Sequence, residues 1–147
     1  MKINIKKLQK DAIIPTRGSA SAAGYDLYAY VSDEDDMVDI APHQTLLIKT
    51  GIAVAIPEGY FGGIFARSGL ATKQGLRPAN CVGVIDSDYR GEIMVAVHND
   101  SDQTKTIQDR ERIAQLVVIP YLSCEFDEVD ELDDTVRGVG GFGSSGK

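Results

Sequence analysis

Cysteine is scarce in this sequence of 147 residues: only Cys81 and Cys124 occur, far apart and in no C-x-x-C arrangement. Two such residues make no disulfide framework, and a reducing compartment is the natural setting: the cytoplasm, or the nucleus if the chain is eukaryotic. Histidine is as sparse, and His43 and His98 have no Cys/His cluster around them, so a structural zinc site is not expected and each reads as an ordinary surface or strand residue. No apolar run is long enough to cross a bilayer. The start, Met1-Lys2-Ile3-Asn4-Ile5-Lys6-Lys7, has basic residues but no continuous apolar stretch, which argues against a secretory signal. Lysine and arginine are outnumbered, 15 against 22 Asp and Glu, for a net charge of −7. That deficit speaks against stable binding to nucleic acid or to an anionic membrane. A small anionic ligand is still open, because it needs only a few well-placed arginines and backbone N–H groups.

Helix signals are also few. The sequence instead carries short β-like runs separated by turn residues. Ile3/Ile5, Tyr25 to Tyr30, Thr45 to Ile48, Gly51 to Ile56, Tyr60 to Ala66, Glu92 to Val97 and Arg112 to Ile119 read as strands, many of them rich in β-branched and aromatic residues. Pro15, Pro42, Pro57, Pro78 and Pro120 fall at or just outside the ends of such runs, where a missing donor does least harm. The one helical turn expected is Ser68 to Gln74, ended by Gly75. Close-set strands without alternating helices exclude a doubly wound α/β domain and favour an all-β sandwich or jelly-roll. At 147 residues, 43% of them hydrophobic, one domain with a proper core is expected.

Two stretches are strongly acidic: the run from Ser32 to Asp36, which reads as a solvated hairpin connection, and Cys124 to Asp134. The chain then ends in Arg137-Gly138-Val139-Gly140-Gly141-Phe142-Gly143-Ser144-Ser145-Gly146-Lys147. This predicts a β domain over 1–132 followed by a glycine-rich tail over 133–147. Such a tail cannot order itself alone; it is either a flexible terminus or a lid that orders over a ligand. Gly138-x-Gly140-x-x-Gly143 matches a dinucleotide fingerprint, but the strand and helix that must flank it are missing. What survives is its physical content: glycines let backbone N–H groups approach phosphate oxygens closely.

Five segments combine residues suited to a nucleotide phosphohydrolase. Ala23-Gly24-Tyr25-Asp26-Leu27 sets a carboxylate at the start of an apolar strand. Ala66-Arg67-Ser68-Gly69-Leu70 sets a cation and a hydroxyl where the short helix begins, and free N–H groups there attract anions. The third runs from Asn80 to Glu92 through Gly83, Asp86, Asp88, Tyr89 and Gly91. The fourth is Arg112-Ile113-Ala114-Gln115-Leu116, and the fifth is the tail with Arg137 and Phe142. Singly, each has an ordinary explanation: Arg-Ser-Gly is a common turn, Asp-Ser-Asp-Tyr-Arg-Gly would usually be a β-turn, and Arg112 and Gln115 would fit a solvated strand edge.

In this order and spacing the five segments resemble the five motifs of the homotrimeric, all-β dUTPase family, over nearly the whole chain from Ala23 to Gly146. The third and fifth are the most specific. The resemblance implies a distorted jelly-roll, barrel or sandwich, and hydrolysis of dUTP to dUMP and pyrophosphate, which limits uracil in DNA and supplies dUMP for dTMP synthesis. It further implies that Asp86 lies beside the 3′-hydroxyl and orients or deprotonates the attacking water. Tyr89 would pack under the sugar and refuse a 2′-hydroxyl. Asn80, with backbone groups near Gly83, would read the uracil edge, where cytosine would leave buried polar groups unpaired. Arg67, Ser68, Gly69 and Gln115 would hold the α- and β-phosphates, Arg137 the γ-phosphate with Ser144 and Ser145 beside it, and Phe142 would stack over the uracil, with Gly143 in the same closing segment. Asp26 would act near the metal through water. Mg2+ is the metal implied, since the sequence offers no dense carboxylate cage and the triphosphate itself would supply ligands. Three sites at subunit interfaces, each capped by a tail, complete what the resemblance implies.

Two positions depart from that pattern. Ser145 stands where threonine is common, and Arg110 occupies a turn position often held by glycine. If that turn demands a positive φ, arginine there is strained. Two other readings compete: a dCTP deaminase-like enzyme of the same fold, and a non-catalytic dUTPase-like binding protein. The Ile85-to-Tyr89 segment and the tail favour the dUTPase over the first, and the presence of Asp86 and the tail favours it over the second.

Overall fold

The computed structural model describes residues 1–31 and 36–141. Expectations for the acidic run at 32–35, and for Phe142, Gly143, Ser144 and Ser145, fall outside the described residues. Within them the chain runs β1 (Asn4–Lys7), β2 (Thr16–Arg17), β3 (Tyr25–Tyr28), β4 (Met37–Ile40), β5 (Thr45–Lys49), β6 (Ile52–Ala55) and β7 (Tyr60–Phe65). It continues with α1 (Ser68–Gln74), β8 (Leu76–Pro78), β9 (Gly83–Ile85), β10 (Met94–Asn99), β11 (Lys105–Gln108) and β12 (Arg112–Pro120). The seven runs read from sequence are all present, with ends moved by one or two residues. Five further short strands, β2, β4, β8, β9 and β11, join them. The expected helix is found as predicted, and Gly75 caps it in the left-handed region at φ 70°, its N–H donating to the Leu70 carbonyl.

This is an all-β jelly-roll with one short helix. Its described strands form open sheets and no closed barrel. A five-stranded sheet has the order β2-β3-β12-β7-β9, a three-stranded sheet the order β5-β10-β8, and two pairs are β1-β6 and β4-β11. The pairings are antiparallel, so each strand alternates between core and outside. In β10 the odd positions Val95 and Val97 are buried while Met94, Ala96 and His98 are half-exposed. Leu27, Ile40, Ile52, Ile56, Leu76, Ile93 and Ile107 are almost wholly buried, each contributing about 1.5–3 kcal/mol by removal from water.

Polar groups also tie the layers. Asn99 is fully buried; its amide donates to the carbonyls of Ile40, Ala41 and Gln103, and its Oδ1 accepts from Ser101. Arg77 on β8 grips Asp100 at the end of β10 through Nε and Nη2, at 2.6 and 3.0 Å. These hydrogen bonds hold the Asp100 carboxyl below its ordinary value. After Pro120 no strand or helix follows among the described residues, and almost all of 121–141 is exposed. Leu122 and Phe126 expose 88% and 99% of their surface.

Candidate active site

The predicted residues gather in two groups. The first is built by the turn between β8 and β9. Cys81 adopts φ 61°, and its N–H donates to the Pro78 carbonyl at 3.2 Å, with Val82 N–H donating to the Asn80 carbonyl at 2.6 Å. This tight turn brings Asn80 back against β9. Gly83 pairs with Ile64 of β7, and a Cβ there would lie 3.2 Å from the Ile64 Cβ and 3.4 Å from the Asn80 amide nitrogen. A bare backbone at 83 thus leaves the Asn80 amide its place.

Past β9 the chain turns again. Tyr89 N–H donates to the Asp86 carbonyl at 3.2 Å, and Arg90 Nη1 staples the turn by donating to the carbonyls of Ser87 (2.7 Å) and Tyr89 (2.8 Å). Asn80, Gly83, Asp86 and Tyr89 therefore share one pocket of about 280 Å3, walled also by Leu47, Ile64, Glu92 and Met94. Sequence reasoning missed those last four. Glu92 directly follows Gly91 in the third segment. Leu47 is an apolar residue 55% exposed on a strand, a surface signal that spacing alone does not reveal.

The second group lies across β3, β12 and β7. Asp26 faces Gln115 in register, and Gln115 faces Phe65. Arg67, which precedes α1, donates from Nε to Asp26 Oδ1 at 2.8 Å; Arg112 Nη1 lies 3.4 Å from the other oxygen. Gln115 Nε2 donates to the Ala66 carbonyl at 2.9 Å, and a Cβ at position 24 would collide with the Gln115 amide oxygen. Arg112 and Gln115 stand three apart, which on a regular strand would send them to opposite faces. A register irregularity between Arg112 and Ala114 opposes Arg112 to Tyr28 and Gln115 to Asp26. The extra residue restores a common face. Ser68 and Gly69 follow, both exposed, and no atom lies within 4 Å of where a Gly69 side chain would begin.

The pocket of the first group is lined by none of Asp26, Arg67, Ser68 or Gln115. Arg137 is joined to neither: it is exposed, and its Nε donates to the Gly140 carbonyl at 2.8 Å within the tail. Arg110 has φ 62°, so the turn before β12 does require the left-handed conformation, as expected if glycine suits it better.

Chemically, the first group offers an amide to read a polar edge, an aromatic ring to support an apolar face, and an exposed carboxylate able to accept a proton. The second offers guanidinium, amide and hydroxyl donors suited to phosphate oxygens.

The model of the dUTPase family matches residues 10–146. The chain is 50% identical over 147 residues to the deoxyuridine 5′-triphosphate nucleotidohydrolase of Nautilia profundicola, covering 100% of both chains. It is 47% identical to that of a Hydrogenobaculum species, covering 99% of both. Among solved structures, the dUTPase of Staphylococcus bacteriophage 80alpha with dUPNHPP superposes with a TM-score of 0.88 at 32% identity, covering 99% of both chains. A family match over this span, with relatives about half identical along their full length, means that the chain belongs to the dUTPase family.

Proposed function

We infer that the chain hydrolyses dUTP to dUMP and pyrophosphate by direct attack of water on the α-phosphorus, with Asp86 as the base. The observation that carries this reading is the shared pocket of Asn80, Gly83, Asp86 and Tyr89. Asn80 reads the uracil edge, the Tyr89 ring supports the deoxyribose and refuses a 2′-hydroxyl, and an Asp86 carboxylate oxygen accepts the water proton. The water oxygen bonds to the α-phosphorus while the bond to the pyrophosphate oxygen breaks, and pyrophosphate leaves with that electron pair. Positioning and charge neutralisation do most of this work. Arg67, Ser68, Gly69 and Gln115 hold the α- and β-phosphates.

Mg2+ fits the donors present. Among the described residues no cluster of three or more His, Cys, Asp or Glu side chains could cage a metal. Asp26, half-buried beside Arg67, Arg112 and Gln115, is a single carboxylate suited to an ion that keeps its waters and takes other ligands from phosphates. Bound there, Mg2+ would supply charge neutralisation along the triphosphate. Asp26 would hold it through water.

The two groups occupy separate regions of one chain, which supports a homotrimer whose sites are completed across subunits. Exposed Leu122 and Phe126 give such an assembly apolar surface to bury. The segment 133–147 acts as the lid: Arg137 turns from Gly140 to the γ-phosphate, with Phe142 over the base and Gly143, Ser144 and Ser145 closing behind it. Closure would exclude bulk water. Both cysteines are free and exposed, and no helix among the described residues is long and apolar enough to cross a membrane; we place the enzyme in the cytoplasm.

The test is pyrophosphate release with Mg2+ from dUTP, dTTP, dCTP and UTP offered separately. Release from dUTP alone establishes the reaction and both discriminations. No release from dUTP by folded protein overturns the reading, and ammonia from dCTP would identify a deaminase instead.

A further inference from the structure

The segment that follows Tyr89 is pinned to the core at three points. Gly51 N–H donates to Glu92 Oε1 at 2.8 Å. The Thr50 hydroxyl donates to the Ile93 carbonyl at 2.5 Å, and Ile93 N–H donates to the Ile52 carbonyl at 2.9 Å. The anchor itself cannot shift easily. Thr50 and Gly51 are buried, and Gly51 sits at φ 69° with Ala12 packed where its side chain would be.

On the pocket side Glu92 holds the aromatic ring. Tyr89 Oη donates to the Glu92 carbonyl at 2.9 Å, and any side chain at position 91 would collide with the Tyr89 hydroxyl. Tyr89 and Glu92 both line the pocket.

We propose that Glu92 is a positioning residue for sugar discrimination: its side chain locks its own peptide onto Gly51, and that peptide's carbonyl sets the tilt of the Tyr89 ring. The inference rests on the reading of Tyr89 as the sugar platform. Rejecting one hydroxyl by exclusion needs a wall that does not yield, and small misplacements cost heavily at such sites. The ring torsion of a tyrosine is soft, and Tyr89 is 39% exposed, so packing alone leaves it free to tip. A hydrogen bond at its far end removes that freedom. The Glu92 side chain is used here only as an acceptor, so glutamine serves equally and alanine does not.

The test compares kcat/KM for dUTP and for UTP, with Mg2+, in the full-length protein and in Glu92→Ala, Glu92→Gln, Tyr89→Phe and Tyr89→Ala. Glu92→Ala and Tyr89→Phe are each expected to lower the dUTP:UTP ratio about three- to tenfold, the worth of one hydrogen bond, with the double variant no worse than either. Glu92→Gln keeps the wild-type ratio. An equal loss in Glu92→Gln and Glu92→Ala overturns the proposal, because charge rather than acceptance would then matter. If Glu92→Ala does not fold, Tyr89→Phe decides: an unchanged ratio there, with a lowered one in Tyr89→Ala, overturns the pin and leaves the platform standing. An unchanged ratio in Tyr89→Ala overturns the platform as well.

Discussion

Arg67 Nε and Asp26 Oδ1 meet at 2.8 Å, with 27% and 14% of their side chains exposed. A cation assigned to phosphate is thus held in place by the carboxylate assigned to the metal. The two roles are coupled through one ion pair.

Asp26→Asn separates them. Asparagine keeps the shape but not the charge that steadies Arg67. We expect kcat/KM for dUTP to fall about tenfold, corresponding to about 1.4 kcal/mol, and the loss to persist at saturating Mg2+. Full recovery at high Mg2+ in a titration of activity would mean that Asp26 serves the metal alone.

Asp86→Asn tests the base. The variant is expected to fold and to bind a non-hydrolysable dUTP analogue with little change, while kcat falls about 10²- to 10⁴-fold. Calorimetric binding beside pyrophosphate release separates the two quantities. Turnover near wild type would remove Asp86 from the chemistry.

Deleting 137–147 tests the lid. Light scattering should report an unchanged assembly, and hydrolysis should collapse. Unaltered activity would mean that the tail closes nothing.

The longest strands, β7, β10 and β12, were legible in the sequence because each carries enough β-branched and aromatic residues to signal itself. Length alone did not decide the others, since β4 and β11 were missed at four residues while β1, β3 and β6 of the same length were read; the remaining three are shorter still. Thr16–Arg17 holds two residues, Leu76–Pro78 and Gly83–Ile85 three each, too few for a period to be seen. They are strands because a neighbour supplies the ladder, as β7 does for β9. The site shows the same divide. Asp86, Tyr89 and Asn80 announced themselves by their company in one segment. Leu47 and Met94 come from β5 and β10, neighbouring strands of one sheet, and their part in the pocket follows from the segment 80–92 meeting the outer face of that sheet, which no local pattern encodes. Glu92 was within the motif, but its value lies in a bond to Gly51, 41 residues away.

Arg110 provides a prediction about stability. At φ 62° a residue with a Cβ costs about 1–2 kcal/mol, offset in part by the entropy that glycine loses on folding. Its contact with Asp109, 3.3 Å long and exposed on the arginine side, contributes little. Arg110→Gly is expected to stabilise the fold by about 0.5–1 kcal/mol, seen as a rise of about 2 °C in Tm, with hydrolysis unchanged. A lower Tm would show that the arginine does more than occupy the turn.

The irregularity in β12 sets a rule of parity for this stretch of chain. Arg112 and Gln115 reach one face because a single residue between them is out of count with β3. Removing that residue would leave a regular strand with both side chains still on the face, at the cost of core-filling Ile113, which is 3% exposed. Adding a residue there would have to enlarge the bulge or turn Arg112 away from Asp26. Length change at this point is therefore asymmetric: the charged cluster survives a contraction of the strand, and an extension only where a wider bulge absorbs it.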